Sequence, residues 1–266
     1  MAKLAIDIAS HQAGLRVGDL ANLRDNYKIR GAVVKLTEGT NYINPCGARQ
    51  VYECFKVFGV VCAYHYYHGN AVAEAKYFLT QLKKCGLDST TDLSIDIEAD
   101  DLRSNLTKEI DTFFDVLRDA GYKHFTLYIR PSWMRAGRVN AAKLHNKIKL
   151  WLAEYGVSQC SMKCEAWQFT ETFKGMNLDC SYDYAGIFTN PNLDENHYYS
   201  TGKKFKTKPK QMNIYHDLAL TAKRSVKLGK GSVIYAEPVK RKGKVYSLKT
   251  KIGYMSANTK FVTKVE

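Results

Sequence analysis

Short apolar runs alternate with amphipathic stretches through the first 190 residues of the chain. LAIDI (4–8), GAVVKL (31–36), FGVVCAYHYY (58–67), DLSIDIE (92–98) and HFTLYI (124–129) predict five strands. KLWLAEY (149–155), EAWQFT (165–170) and NLDCS (177–181) predict three more. Helical periodicity falls between them, over 71–84 and over 107–120. In the second helix Ile110, Phe113, Phe114 and Leu117 form one apolar stripe. Thr107 is placed to cap its start and Gly121 to end it. Strands alternating with helices give an α/β class. A barrel and a doubly wound sheet both fit this pattern. Both gather functional residues at the C-terminal ends of parallel strands.

The texture changes at Pro191. Residues 191–211 are polar, lysine-rich and without an apolar period, and they read as a basic linker. Beyond it lie short strand-like runs at 212–215, 232–236, 244–248, 252–257 and 261–265. Gly229, Gly231, Gly243 and Gly253 punctuate them. This predicts a second, small all-β domain over 212–266. Charge follows the same division. Residues 1–190 carry 23 basic and 21 acidic side chains, whereas 191–266 carry 17 basic and 5 acidic. Most of the net +14 therefore sits in the tail, which suits an anionic partner.

Several function classes gain no support. No apolar run is long enough to cross a membrane as a helix, so no membrane anchor is expected. Asp7 interrupts the first apolar stretch and no cleavage pattern follows, so no conventional signal peptide is expected. The seven cysteines are odd in number and read as free buried thiols. Cys160 and Cys164 have a metal-like interval but no matching second pair, and no zinc is expected. Carboxylates suit magnesium, but there is no phosphate-cradling glycine loop, so neither metal nor cofactor is expected. His11, His65 and His68 accompany no nucleophile elbow. The tail shows no nucleic-acid-binding motif.

The acids are more informative. Asp7, Asp96, Glu98 and Asp179 lie in or at the ends of predicted strands, and Glu38 follows another. Positions i and i+2 of a strand face one side, so Asp96 and Glu98 point together while Ile95 and Ile97 point away. Two carboxyls held close in a poorly solvated place resist joint ionisation, so at least one should titrate high. An acid beside a carboxylate is the division of labour in glycoside hydrolysis. Tyr64, Tyr66, Tyr128, Tyr155 and Trp167 supply flat amphipathic surfaces suited to sugar rings.

With these residues in view, 4–190 resembles the family 25 glycoside hydrolases. DIASHQ (7–12), VVKLTEGTNYINP (33–45), GVVCAYHYYHG (59–69), AEAKYFL (73–79), LSIDIE (93–98), LWLAEY (150–155), AWQFT (166–170) and NLD (177–179) carry the likeness. The resemblance implies an irregular, TIM-like β/α barrel over 1–190. It also implies endo-hydrolysis, with retention, of the β-1,4 bond between N-acetylmuramic acid and N-acetylglucosamine in peptidoglycan. It maps the functional acids to Asp7, Asp96, Glu98 and Asp179, with Glu98 as proton donor. Asp96 stabilises or orients, and the attacking group is either an aspartate or the substrate's own acetamido oxygen. Glu38 matches a further acid, and Tyr64 and Trp167 match groove-wall contacts. The chain departs from the family pattern at Cys180 and Ser181, and at Leu36, where alanine is commoner.

The tail resembles bacterial SH3-like wall-binding domains through 229–239 and 252–262. The expected partners are peptidoglycan and the anionic wall polymers of Gram-positive bacteria. A phage-type enzyme of this kind is made in the host cytoplasm and acts on the wall after release. Two other readings compete: a D-x-E glycosidase acting on chitin-like polymers, and a non-catalytic wall-binding protein.

Overall fold

The computed structural model describes residues 2–103, 105–145, 148–190, 198–242 and 245–265. The chain divides into two compact units, Met1–Asn192 and Leu193–Glu266. The start of the expected linker (191–197), Gly243 and Lys244 lie outside the described residues.

In the first unit the elements run β1 (Lys3–Ile8), α1 (Val17–Asn26), β2 (Ile29–Glu38), β3 (Tyr42–Ile43), α2 (Gly47–Phe58), β4 (Cys62–Tyr66), α3 (Ala71–Lys84) and β5 (Asp92–Ile97). They continue α4 (Thr107–Asp119), β6 (His124–Ile129), α5 (Pro131–Arg135), β7 (Lys149–Ala153), β8 (Ala166–Thr170) and β9 (Asp179–Asp183). The sheet runs β1-β9-β8-β7-β6-β5-β4-β2-β3, and β1 also pairs with β2. That extra pairing closes eight strands into a barrel, with β3 appended to the outside of the ring. From β1 through β2 and β4 to β8 neighbouring strands are parallel. β9 is antiparallel to both β8 and β1, which makes the barrel irregular. Of the two architectures left open by periodicity, the closed barrel is the one formed.

Side-chain alternation separates two apolar layers. Ile6, Val34, Ala63, Ile95, Leu127 and Leu152 point outward and pack with the helices. The helices bury their own stripes in that layer, including Leu20 and Leu23 of α1, Val51 and Cys54 of α2, Phe78 of α3 and Phe113 of α4. Ala5, Val33, Cys62, Tyr128, Trp151, Ala153 and Ala166 point inward, where Ile187 and Phe188 join them. Asp183 accepts from the backbone N–H groups of Ile187, Phe188 and Thr189 and from the Thr189 hydroxyl, and this fixes that inward turn.

Several local expectations need correction. The run 58–67 is not one strand. α2 ends at Phe58, Gly59 caps it in a left-handed conformation (φ 72°), and β4 begins only at Cys62. Thr107 is not a cap. It is the first helical residue of α4, and its hydroxyl accepts from the Asn140 backbone N–H at 2.9 Å. Only three of the seven cysteines, Cys54, Cys62 and Cys180, are fully buried.

In the second unit the strands are β10 (Lys204–Thr207), β11 (Gln211–Tyr215), β12 (Lys223–Gly229), β13 (Val233–Tyr235), β14 (Glu237–Lys242), β15 (Val245–Thr250), β16 (Gly253–Ser256) and β17 (Val262–Lys264). They form a three-stranded sheet, β13-β10-β17, and a five-stranded sheet, β12-β11-β16-β15-β14. Phe205, Met212, Ile214, Leu248, Met255 and Val262 make their common core. The 191–211 stretch is therefore not linker throughout. Phe205 and Thr207 of β10 face inward between outward lysines, an alternation too short and too basic to register as apolar.

Candidate active site

The parallel strands place their C-terminal ends on one face of the barrel, the face that carries the chemistry in folds of this kind. Asp7 ends β1, Asp96 lies in β5 with Glu98 just beyond it, and Asp179 opens the antiparallel β9. Because β9 runs the other way, its first residue meets the end of β1. Asp7 and Asp179 are direct partners in the ladder.

These four acids line one cleft of about 200 Å³ with Tyr64, Tyr128, Arg130, Trp151, Tyr155, Gln168 and Glu171. An adjoining lobe of about 480 Å³ shares Tyr64, Asp96, Glu98, Glu171 and Asp179, and adds His11, Lys35 and Tyr66. The two lobes form an elongated groove with the acids in its middle.

The acids differ in their surroundings. Asp7 and Asp96 are each only 6% exposed. Burial, then the Asp179 and Glu98 charges, push the Asp7 carboxyl well above the usual carboxylate range, against the hydrogen bond from Gln168. Burial and the neighbouring Glu98 push Asp96 up strongly as well, against Lys35. Asp96 Oδ1 is buried without a hydrogen-bond partner, which costs less on a neutral carboxyl than on a carboxylate. Asp179 rises to about 6 through burial and the charge of Glu171. Glu98 stays 22% exposed at its side chain, and Arg130 Nη2 donates to its Oε2 at 3.2 Å.

Tyr64, Tyr66 and Tyr128 line the groove. Trp167 does not. On β8 the inward positions are Ala166 and Gln168, so Trp167 turns outward, where its ring packs against Phe169 and Tyr182. The indole that lines the cleft is Trp151, whose N–H donates to Ser181 Oγ at 2.9 Å. Ser181, one of the departures from the family pattern, thus has a defined partner. Glu38 is absent from both groove linings. It accepts from Lys35 Nζ at 2.5 Å, and Lys35 reaches the groove over the Tyr66 ring, 4.5 Å from its centroid. His65 is buried outside the barrel ring between Thr37 and Glu74. His68 bridges Asp101 and Glu38.

Gln168, Arg130, Glu171 and Lys35 also line the groove, and no motif marks them in the sequence. Inward alternation on β8 was the signal available for Gln168. The other three needed the three-dimensional ring.

The family profile for glycosyl hydrolases family 25 matches residues 6–177, from the second half of β1 to the threshold of β9. The chain belongs to this family. Its relatives include the lysozymes of Streptococcus phages Cp-7 and Cp-1. Each is 27% identical over 164 residues, covering 58% of this chain and 44% of the phage protein. The matched region thus spans less than half the length of those curated relatives. The catalytic domain of endolysin ply40 from bacteriophage P40 of Listeria monocytogenes superposes with a TM-score of 0.59 at 24% identity, covering 70% of this chain and 95% of that one. A lysozyme from Streptomyces coelicolor gives 0.56 at 17% identity, covering 71% and 98%. At such identities the superpositions speak for the fold. Asp179 lies just past the family match, and its place in the cleft rests on the β1–β9 register.

Proposed function

We propose that this chain is a muramidase that hydrolyses the β-1,4 bond between N-acetylmuramic acid and N-acetylglucosamine in peptidoglycan. The observation that carries the reading is the convergence of Asp7, Asp96, Glu98 and Asp179 on one groove of a family 25 barrel. Glu98 acts as general acid towards the glycosidic oxygen. Its partial exposure supports that role, because a proton donor must be reloaded from solvent between turnovers. Asp96, whose carboxyl burial and Glu98 push towards the neutral form, stabilises or orients the sugar on the same face. The reaction proceeds with retention, through an aspartate or the substrate's acetamido oxygen as the attacking group. Tyr64, Tyr66, Tyr128 and Trp151 offer ring faces and hydroxyls to the saccharide along the groove.

The second unit serves in this reading as an SH3-like wall anchor. Its all-β architecture and its excess of basic residues support attachment to anionic walls of Gram-positive type.

The test is digestion of purified peptidoglycan and of chitin, with identification of the new reducing ends. Wild type should release reducing muramic acid. Glu98→Gln should lose on the order of 10²–10⁴-fold in rate while keeping its circular dichroism and wall binding. Cleavage of chitin alone would move the substrate to the chitin-like class. Full lysis by Glu98→Gln would leave only a wall-binding role.

A further inference from the structure

Gln168 sits at the floor of the cleft with its amide orientation fixed from both ends. Its Oε1 accepts from the Tyr128 hydroxyl at 2.8 Å and from the Tyr155 hydroxyl. Both tyrosines are neutral donors, since burial raises each phenol far beyond physiological pH. With its oxygen claimed, the amide must turn its NH₂ the other way. Nε2 lies 3.0 Å from both Asp7 Oδ1 and Asp7 Oδ2. One nitrogen therefore bisects the carboxyl group and fixes its rotation. The relay runs from β6 and the end of β7, through β8, to β1.

We propose that Gln168 is the positioning residue of the site, holding the Asp7 carboxylate at the groove floor through an amide oriented by Tyr128 and Tyr155. The need for such a device follows from what surrounds Asp7. Asp179 faces it from β9, and Asp96 and Glu98 face it from β5. Tyr64 stands on β4, and β2 places Val33 opposite it with Lys35 further along the strand. Asp179, Glu98 and a low-dielectric floor all favour the proton on Asp7. The Gln168 NH₂ is a side-chain hydrogen-bond donor that favours the charged form, alongside a weaker backbone one. Glutamine suits the task because its amide stays neutral while donating from one end and accepting at the other. A glutamate there would add a further acid to a cleft already crowded with them.

The inference deepens the hydrolase reading and rests on it only for the kinetic arm of its test. In full-length protein, the Asp7 carboxyl is titrated by ¹³C NMR, and the rate on peptidoglycan is followed against pH. Gln168→Met should move the Asp7 midpoint to higher pH and carry the acid limb of the rate profile with it. The rate should fall on the order of 10–100-fold at the wild-type optimum. Tyr128→Phe combined with Tyr155→Phe leaves the amide in place but frees it to rotate, and should shift both midpoints in the same direction. This pair still gives a reading should Gln168→Met not fold. Folded variants whose Asp7 titration and pH profile superpose on wild type would overturn the inference. A wild-type protein that cleaves no peptidoglycan would instead sink the muramidase reading, with the Asp7 titration still judging Gln168.

Discussion

Asp179 shows how an acid can be retained at a cost to the fold. Its neutral form is favoured in the native state, where burial and Glu171 hold its titration at about 6. An unfolded aspartate titrates near 4. The group thus contributes its full stabilisation below about pH 4, and that contribution is lost as the pH rises through about 6. Asp179→Asn should therefore stabilise at pH 7. Solvent screening at this partly exposed site holds the gain to about 1 kcal/mol. That corresponds to roughly 2–4 °C in melting temperature for a unit of this size. The advantage should vanish in melts at pH 4, and an equal gain at both pH values would contradict the assigned titration. At this scale the sequence was most legible for charged groups with a fixed spacing. Asp96 and Glu98 could be read as one pair because a strand repeats every two residues. The same rule applied to AWQFT would have turned Gln168 inward and Trp167 outward. Ring chemistry drew attention to the tryptophan instead, and a neutral amide announces nothing in sequence.

Among elements, strands were easier to read than helices. The parallel barrel strands coincide with apolar runs, since strands covered on both faces are largely apolar, whereas the antiparallel β9, with Asp179 and Asp183 at its ends, does not. α1 carries no legible apolar stripe, because within it only Leu20 and Leu23 are buried. α2 was hidden by its continuation into 58–67, where Gly59 rather than any change in hydropathy marks the break. β12 is an exposed lysine-bearing edge strand and carries almost no apolar signal. Gly31 illustrates a constraint that belongs to an element and its neighbour together. A β-carbon there would lie 1.9 Å from the Phe188 carbonyl oxygen. The neighbour is backbone, part of the turn that Asp183 holds, so it cannot swing aside. Gly31→Ala is expected to cost about 3 kcal/mol, lowering the melting temperature by roughly 6–12 °C. Gly14→Ala, with open space around its β-carbon position, is the matching control and should melt near wild type.

At the scale of the whole molecule, the acidic cleft and the basic excess belong to different units. The acids gather in the first, whereas Lys223, Lys227 and Lys230 stand exposed on and beside β12 of the second. If the second unit attaches the enzyme to anionic walls, retention on purified walls should weaken with salt, because such attraction is screened beyond about 8 Å at physiological ionic strength. Replacing these three lysines by glutamine in the full chain should lower retention and flatten its salt dependence. Cleavage of short soluble muropeptide-free glycan should remain unchanged. Salt-independent retention would point to an uncharged ligand. The antiparallel β9 has a different kind of consequence, one of time. It supplies Asp179 and is the last strand of the ring, yet it must lie against the first, which supplies Asp7. Such a contact between distant parts of a chain carries a high entropic cost and forms late. Until that seam closes, β1 has an open edge and the groove lacks one of its four acids. A chain whose ring is still open at this seam therefore lacks the assembled set of four acids.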